Sequence, residues 1–178
     1  VTRANLVTVP IGPGGAISVY NSRGTIRTIV DVQGYYVTGS GQDYYPLAPT
    51  RVLDTRNGTN TPHGSTAPVG AAASFDLPLA GSTATSSGMV RLPADAAAAV
   101  LNVTAVKPTV STYLTVFATP SDSSRPFASN LNPAKNAVVS NLVIAAVGGS
   151  GQSVRVFNAV GACPVLADIA GYYAPPPP

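Results

Sequence analysis

Residues 141–174 read NLVIAAVGGSGQSVRVFNAVGACPVLADIAGYYA, and residues 5–37 read NLVTVPIGPGGAISVYNSRGTIRTIVDVQGYYV. These are two copies of one segment. Asn5, Leu6 and Val7 match Asn141, Leu142 and Val143, and Tyr20-Asn21 matches Phe157-Asn158. Gly24 matches Gly161, Asp31 matches Asp168, and Gly34-Tyr35-Tyr36 matches Gly171-Tyr172-Tyr173. The offset is 136 at the start (141 − 5) and 137 at the end (168 − 31), so one residue is inserted in the turn between. A repeat found at this distance divides the chain before any other reading does.

Working outward, residues 1–37 are expected to be the C-terminal part of a preceding module. Residues 38–43, TGSGQD, are a small, polar, flexible linker. Residues 44–174 form a complete module of ordinary single-domain size. Residues 175–178 are Pro-Pro-Pro-Pro, a stiff exit favouring polyproline II. The chain does not begin with Met, and it is expected to be a processed product or an excised piece of a longer protein.

Within the copies, apolar and polar residues alternate with period two. Ile26, Thr28, Val30 and Val32 oppose Arg27, Ile29, Asp31 and Gln33; Leu101, Val103 and Ala105 oppose Asn102 and Thr104; Leu114, Val116 and Ala118 oppose Thr115 and Phe117. That is strand patterning with one buried face. Turn signals separate the runs, as at Gly12-Pro13-Gly14-Gly15, Lys107-Pro108 and Gly148-Gly149-Ser150-Gly151. Residues 1–37 are expected to carry about three strands. A weaker echo lies inside the module: LNVTAV, a turn and YLTVFA resemble NLVIAAV, a turn and VRVFN. The expected fold class is all-β, an antiparallel β-sandwich, with a barrel of pseudo-repeated strand units as the alternative.

Composition narrows the function. Only 10% of the 178 residues are charged, all seven acids are Asp, and Lys107 and Lys135 are the sole lysines. Long helices are disfavoured. One Cys and one His exclude an intrachain disulfide and a Cys/His zinc site, so neither a metal nor a cofactor is expected. No apolar run reaches the length of a membrane helix. The net charge of +3 comes from scattered Arg residues, which argues against nucleic acid as a partner.

The ordered motifs YYPLAPTRVLDTRNGT (44–59), AAVLNVTAVKPT (98–109), YLTVFA (113–118), ASNLN (128–132), VSNLVIAAVG (139–148) and DIAGYY (168–173) carry a resemblance. The chain resembles the repeated β-rich module of large secreted and cell-surface proteins of high-GC Gram-positive bacteria. In that family a "PTRLLDTR" motif opens the module, "LNVT" and "SNLN" mark its middle, and "D-x-x-GYF" closes it; here Tyr173 stands at the final aromatic, and the loop 57–74 is irregular. The resemblance implies a secreted, cell-surface accessory or structural module and supplies no ligand.

Candidate binding residues fall in two groups. Arg51, Asp54 and Arg56 form the densest charge cluster, either two guanidinium forks for an acidic ligand or glycan, or a structural ion-pair cluster with Asp168. Tyr35, Tyr36, Tyr172 and Tyr173 either stack on sugar rings or seal a junction between modules. Asp54, Asn57 and Asn60 fall short of a calcium shell. His63 has no G-x-S-x-G nucleophile elbow to serve, and no Glu is present for paired-carboxylate glycosidase chemistry, so no catalysis is expected. Cys163 reads as a small buried hydrophobe, the alternative being an intermolecular disulfide. The expected role is a structural, adhesion or assembly module whose partners are neighbouring modules or its own copies, joined through strand pairing. The alternative is a carbohydrate-binding module of a secreted hydrolase, with a cell-surface glycan as partner.

Overall fold

A computed structural model describes residues 2–79, 92–119, 125–149 and 152–177, and the backbone of 83–85 and 88–90. Its strands are β1 (Asp43–Asp54), β2 (Ala73–Pro78), β3 (Thr83–Thr85), β4 (Gly88–Val90), β5 (Ala98–Val106), β6 (Leu114–Ala118), β7 (Val138–Ala146), β8 (Ser153–Asn158) and β9 (Val165–Ala174). No α-helix occurs among the described residues; one 3-10 turn, Pro62–Gly64, sits in the Pro- and Gly-rich loop after β1. Two antiparallel sheets form, in the orders β1-β9-β5-β7 and β2-β8-β6, with β3-β4 a separate pair. The sheets do not close on one another, so the expected sandwich holds and the barrel does not.

The internal echo explains this architecture. β5 lies in the four-stranded sheet and β6 in the three-stranded one; β7 and β8 divide the same way, and so do β1 and β2. Each strand–turn–strand unit therefore gives one strand to each sheet. Like pairs with like: β5 with β7, and β6 with β8. The alternation places Leu101, Val103 and Ala105 of β5 against Leu114, Val116, Val154 and Val156 in one core, which also takes Leu53, Leu77, Leu131 and Ile169.

β9 runs down the middle of the larger sheet, paired with β1 on one side and β5 on the other. Both ladders shift register between Gly171 and Ile169: against β5 Ala170 is the extra, bulged residue, whereas against β1 the three residues 47–49 face it. Asp43 lies opposite Ala174, hence the chain reaches and leaves the sandwich at the same end. Asp43, expected in the linker, is already the first residue of β1.

Residues 2–37 depart from expectation. They carry the strand pattern but form no strand among the described residues. The reason is topological. In the complete module this segment pairs with β1, β2, β5 and β6, and here those strands already hold residues 138–174. What survives is local geometry. The Asn21 amide donates to the Gly24 carbonyl at 2.8 Å, as the Asn158 amide does to Gly161 at 3.0 Å, with Gly24 at φ 63° and Gly161 at φ 62°. Both glycines are left-handed, a conformation that costs glycine little. The inserted residue is visible as well: Gly12 N–H donates to Ala16, four residues on, and Gly148 N–H to Ser153, five on.

The consequence for burial is large. Val7 is 65% exposed and its counterpart Val143 0%; Ile29 is 85% and Leu166 5%; Val32 is 84% and Ile169 0%. Among the described residues, two hydrogen bonds tie this arm to the module. Leu6 N–H donates to Asn141 Oδ1 at 3.2 Å, and the Tyr36 and Tyr173 hydroxyls bond to each other.

Cys163 is fully buried beside Val69, whose backbone it meets in a two-way bridge. Burial pushes its thiol up to about 11, so almost no thiolate exists at neutral pH. A thiol reagent at pH 7 is expected to leave the native chain unlabelled and to modify one thiol per chain in denaturant. Rapid labelling of the native chain would contradict this placement.

Candidate functional site

Arg51 and Asp168 face each other across the β1–β9 ladder. Arg51 Nε and Nη2 donate to the Asp168 carboxylate at 2.5 and 3.1 Å, a bidentate pair. Arg56 makes a second fork on Asp54, at 2.9 Å from Nε and 2.8 Å from Nη2, and its backbone N–H adds a third bond at 2.9 Å. Arg51 Nη1 reaches Asp54 at 3.5 Å and joins the two pairs. Asp54 also organises the turn that follows: its backbone carbonyl accepts from the amides of Asn57, Gly58 and Thr59. Both forks are thus spent on carboxylates of the same chain.

The charge cluster has a pH signature. Arg56, through its hydrogen bonds, holds the Asp54 carboxyl below its ordinary range, with Arg51 adding a smaller pull. A carboxyl harder to protonate when folded contributes stability above its unfolded pKa, near 4, and loses it as pH falls through the lower folded value. Arg51 and Arg56 are a third to a half exposed and can turn to water, so Asp54→Asn is expected to cost only about 1–2 kcal/mol at pH 7. Thermal melts from pH 7 to pH 2 should show the variant and the parent converging at the acid end. A gap that persists at pH 2 would contradict the assignment.

The tyrosines gather at the end where Asp43 meets Ala174. Tyr45 stacks on Tyr172 at 5.2 Å between centroids and 16° between planes; Tyr44 tilts against Tyr173 at 5.4 Å. Tyr36 of the arm is tilted against the same Tyr173 at 6.2 Å. Tyr44 also lies over Gly171, where an added Cβ would come within 2.5–2.7 Å of the ring, and its hydroxyl donates to the Ala170 carbonyl at 3.0 Å. Burial pushes the Tyr173 hydroxyl up to about 12, helped by the bond to Tyr36. Of the four candidate tyrosines, Tyr36 and Tyr173 come together; Tyr172 pairs instead with Tyr45, and Tyr35 stays 77% exposed and has no ring contact among the described residues. Asp168 and Tyr173 are five positions apart, about 16 Å along β9. The charge cluster and the rings therefore do not share one groove.

The sequence did not suggest a third cluster, on the outer side of the smaller sheet. The Arg125 guanidinium sits 3.9 Å over the Phe157 ring, Tyr113 tilts on Phe157 at 6.1 Å, and Arg155 grips Asp76 at 2.6 and 2.9 Å. These residues lie 12 or more positions apart in the chain, apart from Arg155 and Phe157 on β8, and no spacing rule joins them.

His63 is exposed at φ 56° in the 3-10 turn, and no group of three His, Cys or Asp residues able to hold a metal occurs among the described residues. No helix of the described residues is long and apolar enough to cross a membrane. Comparison with family models, with curated proteins and with solved structures found no match.

Proposed function

We propose that this chain is a non-catalytic structural module of a secreted or cell-surface repeat protein, one that associates with neighbouring modules through strand pairing. The observation that carries this reading is the arm. Its aliphatic residues repeat those of a buried core, yet they stand in water. Each such side chain is worth roughly 1.5–3 kcal/mol when covered, and an unpaired strand pattern of this length invites a pairing partner. The aromatic rings support the same reading. They are engaged with one another at the end where successive modules connect, and Tyr36 of one copy meets Tyr173 of the next.

The carbohydrate-binding reading needs open, coplanar rings beside free charged forks. Tyr45 and Tyr172 are coplanar, but they cover each other, and Arg51 and Arg56 are paired. A glycan array probed with the whole chain, together with size-exclusion light scattering, tests the choice. No glycan signal above background is expected. Saturable glycan binding that is lost in Tyr172→Ala would favour the sugar-binding module instead.

A further inference from the structure

Residues 5–37 match 141–174, whereas the opening portion of the module, 44–136, is present once. The chain thus carries two closing units, β7–β8–β9 in type, and one opening unit, β1–β6. Copies of this chain cannot satisfy one another. If the arm of one copy displaced β7–β9 of a second, it would free a segment of the same kind, and the number of uncovered closing units would not change. Strand exchange between copies exposes as much as it hides.

Resting on the structural reading above, we infer that the arm is the docking surface for a β1–β6 unit of this same repeat, which would cover it as β1–β6 covers β7–β9 in residues 43–174. The arm keeps the features such a unit recognises. Asp31 stands where Asp168 takes the bidentate guanidinium of Arg51. Asn21 stands where Asn158 donates to the carbonyls of Val69, Gly70, Val160 and Gly161 and accepts from the Thr112 hydroxyl; here, among the described residues, its side chain bonds only to Gly24. Gly34 stands where Gly171 lies beneath the Tyr44 ring, and a Cβ at Gly34 would meet nothing within 4 Å. The turn at 21–24 is already folded as in the complete module. The occupant is therefore defined chemically: a strand carrying Tyr-Tyr-Pro and, farther on, Arg-Val-Leu-Asp, paired antiparallel to residues 28–37.

The test joins a second copy of residues 44–136 directly ahead of residue 1, the position that the offset of 136 dictates. Hydrogen exchange is followed over residues 26–36 in the chain as it stands and in the extended protein. The expected result is slowing by about a hundredfold or more in the extended protein, to the level of residues 163–173, and no dependence of the original chain's arm on its own concentration. Gly34→Ala supplies a second readout. It should leave the melting temperature of the present chain unchanged and lower that of the extended protein, where a Tyr44 equivalent would cover the site. Unprotected arm amides in a monomeric extended protein would overturn the inference. So would protection in the present chain that grows with concentration, since self-association would then supply the cover. Glycan binding by the present chain would count against the structural role and leave these exchange results unaffected.

Discussion

Asn158→Ala is expected to lower the stability of the chain by about 3–5 kcal/mol, because it strips partners from several buried groups at once. Asn158 is fully buried at the end of β8. Its amide nitrogen lies 2.9–3.3 Å from four carbonyls, those of Val69, Gly70, Val160 and Gly161. Its Oδ1 accepts from Thr112 Oγ1 at 2.8 Å, and Thr112 Oγ1 in turn accepts from Val160 N–H at 3.0 Å. One side chain thus ties the loop before β2, the loop before β6 and the loop after β8. Alanine leaves a cavity and several carbonyls without donors. Asn158→Asp should be no better, since it keeps the acceptor, loses the donors and buries a charge. Urea titration of each variant measures the loss. The counterpart Asn21→Ala removes one exposed bond and should cost less than about 0.5 kcal/mol. A loss below 1 kcal/mol at Asn158 would mean that these loops are held by something else.

The pair of asparagines also marks what the sequence could convey. The match of Tyr20-Asn21 with Phe157-Asn158 shows that this dipeptide matters to the repeat; it does not show that Asn158 gathers carbonyls from residues about 90 positions away. The alternation of Leu101, Val103 and Ala105 revealed the buried face, because a strand's side chains alternate by geometry alone. The pairing of β5 with β7 and β9 depended on which loops cross between sheets, and no local pattern encodes that. The ion pair of Arg51 with Asp168 was legible as one option, since an Arg-rich strand and an Asp-bearing strand need only to become neighbours. The Arg125–Phe157–Tyr113 cluster was not legible, because its members meet only through the packing of distant segments. The arm was misread in the opposite direction. Its period-two pattern predicts strands, but a strand requires a partner, and pattern reports burial preference rather than the presence of a neighbour.

That distinction is open to direct measurement at Ile169 and Val32, which occupy the same position in the two copies. Ile169→Ala is expected to cost about 3–4 kcal/mol, the sum of lost transfer energy and a cavity in a core that relaxes only partly. Ile169 is fully buried, opposite Leu101 on one side and Thr50 on the other, next to the Ala170 bulge. Val32→Ala removes two methyl groups already in water and should change stability by less than about 0.5 kcal/mol. Denaturant midpoints at matched slopes give both numbers. If the two substitutions cost alike, the arm would share the core of the sandwich and would need no further cover. If only Ile169→Ala matters, the same sequence is stabilising in one copy and idle in the other, and the difference between them is the set of strands β1, β2, β5 and β6 that only one copy possesses.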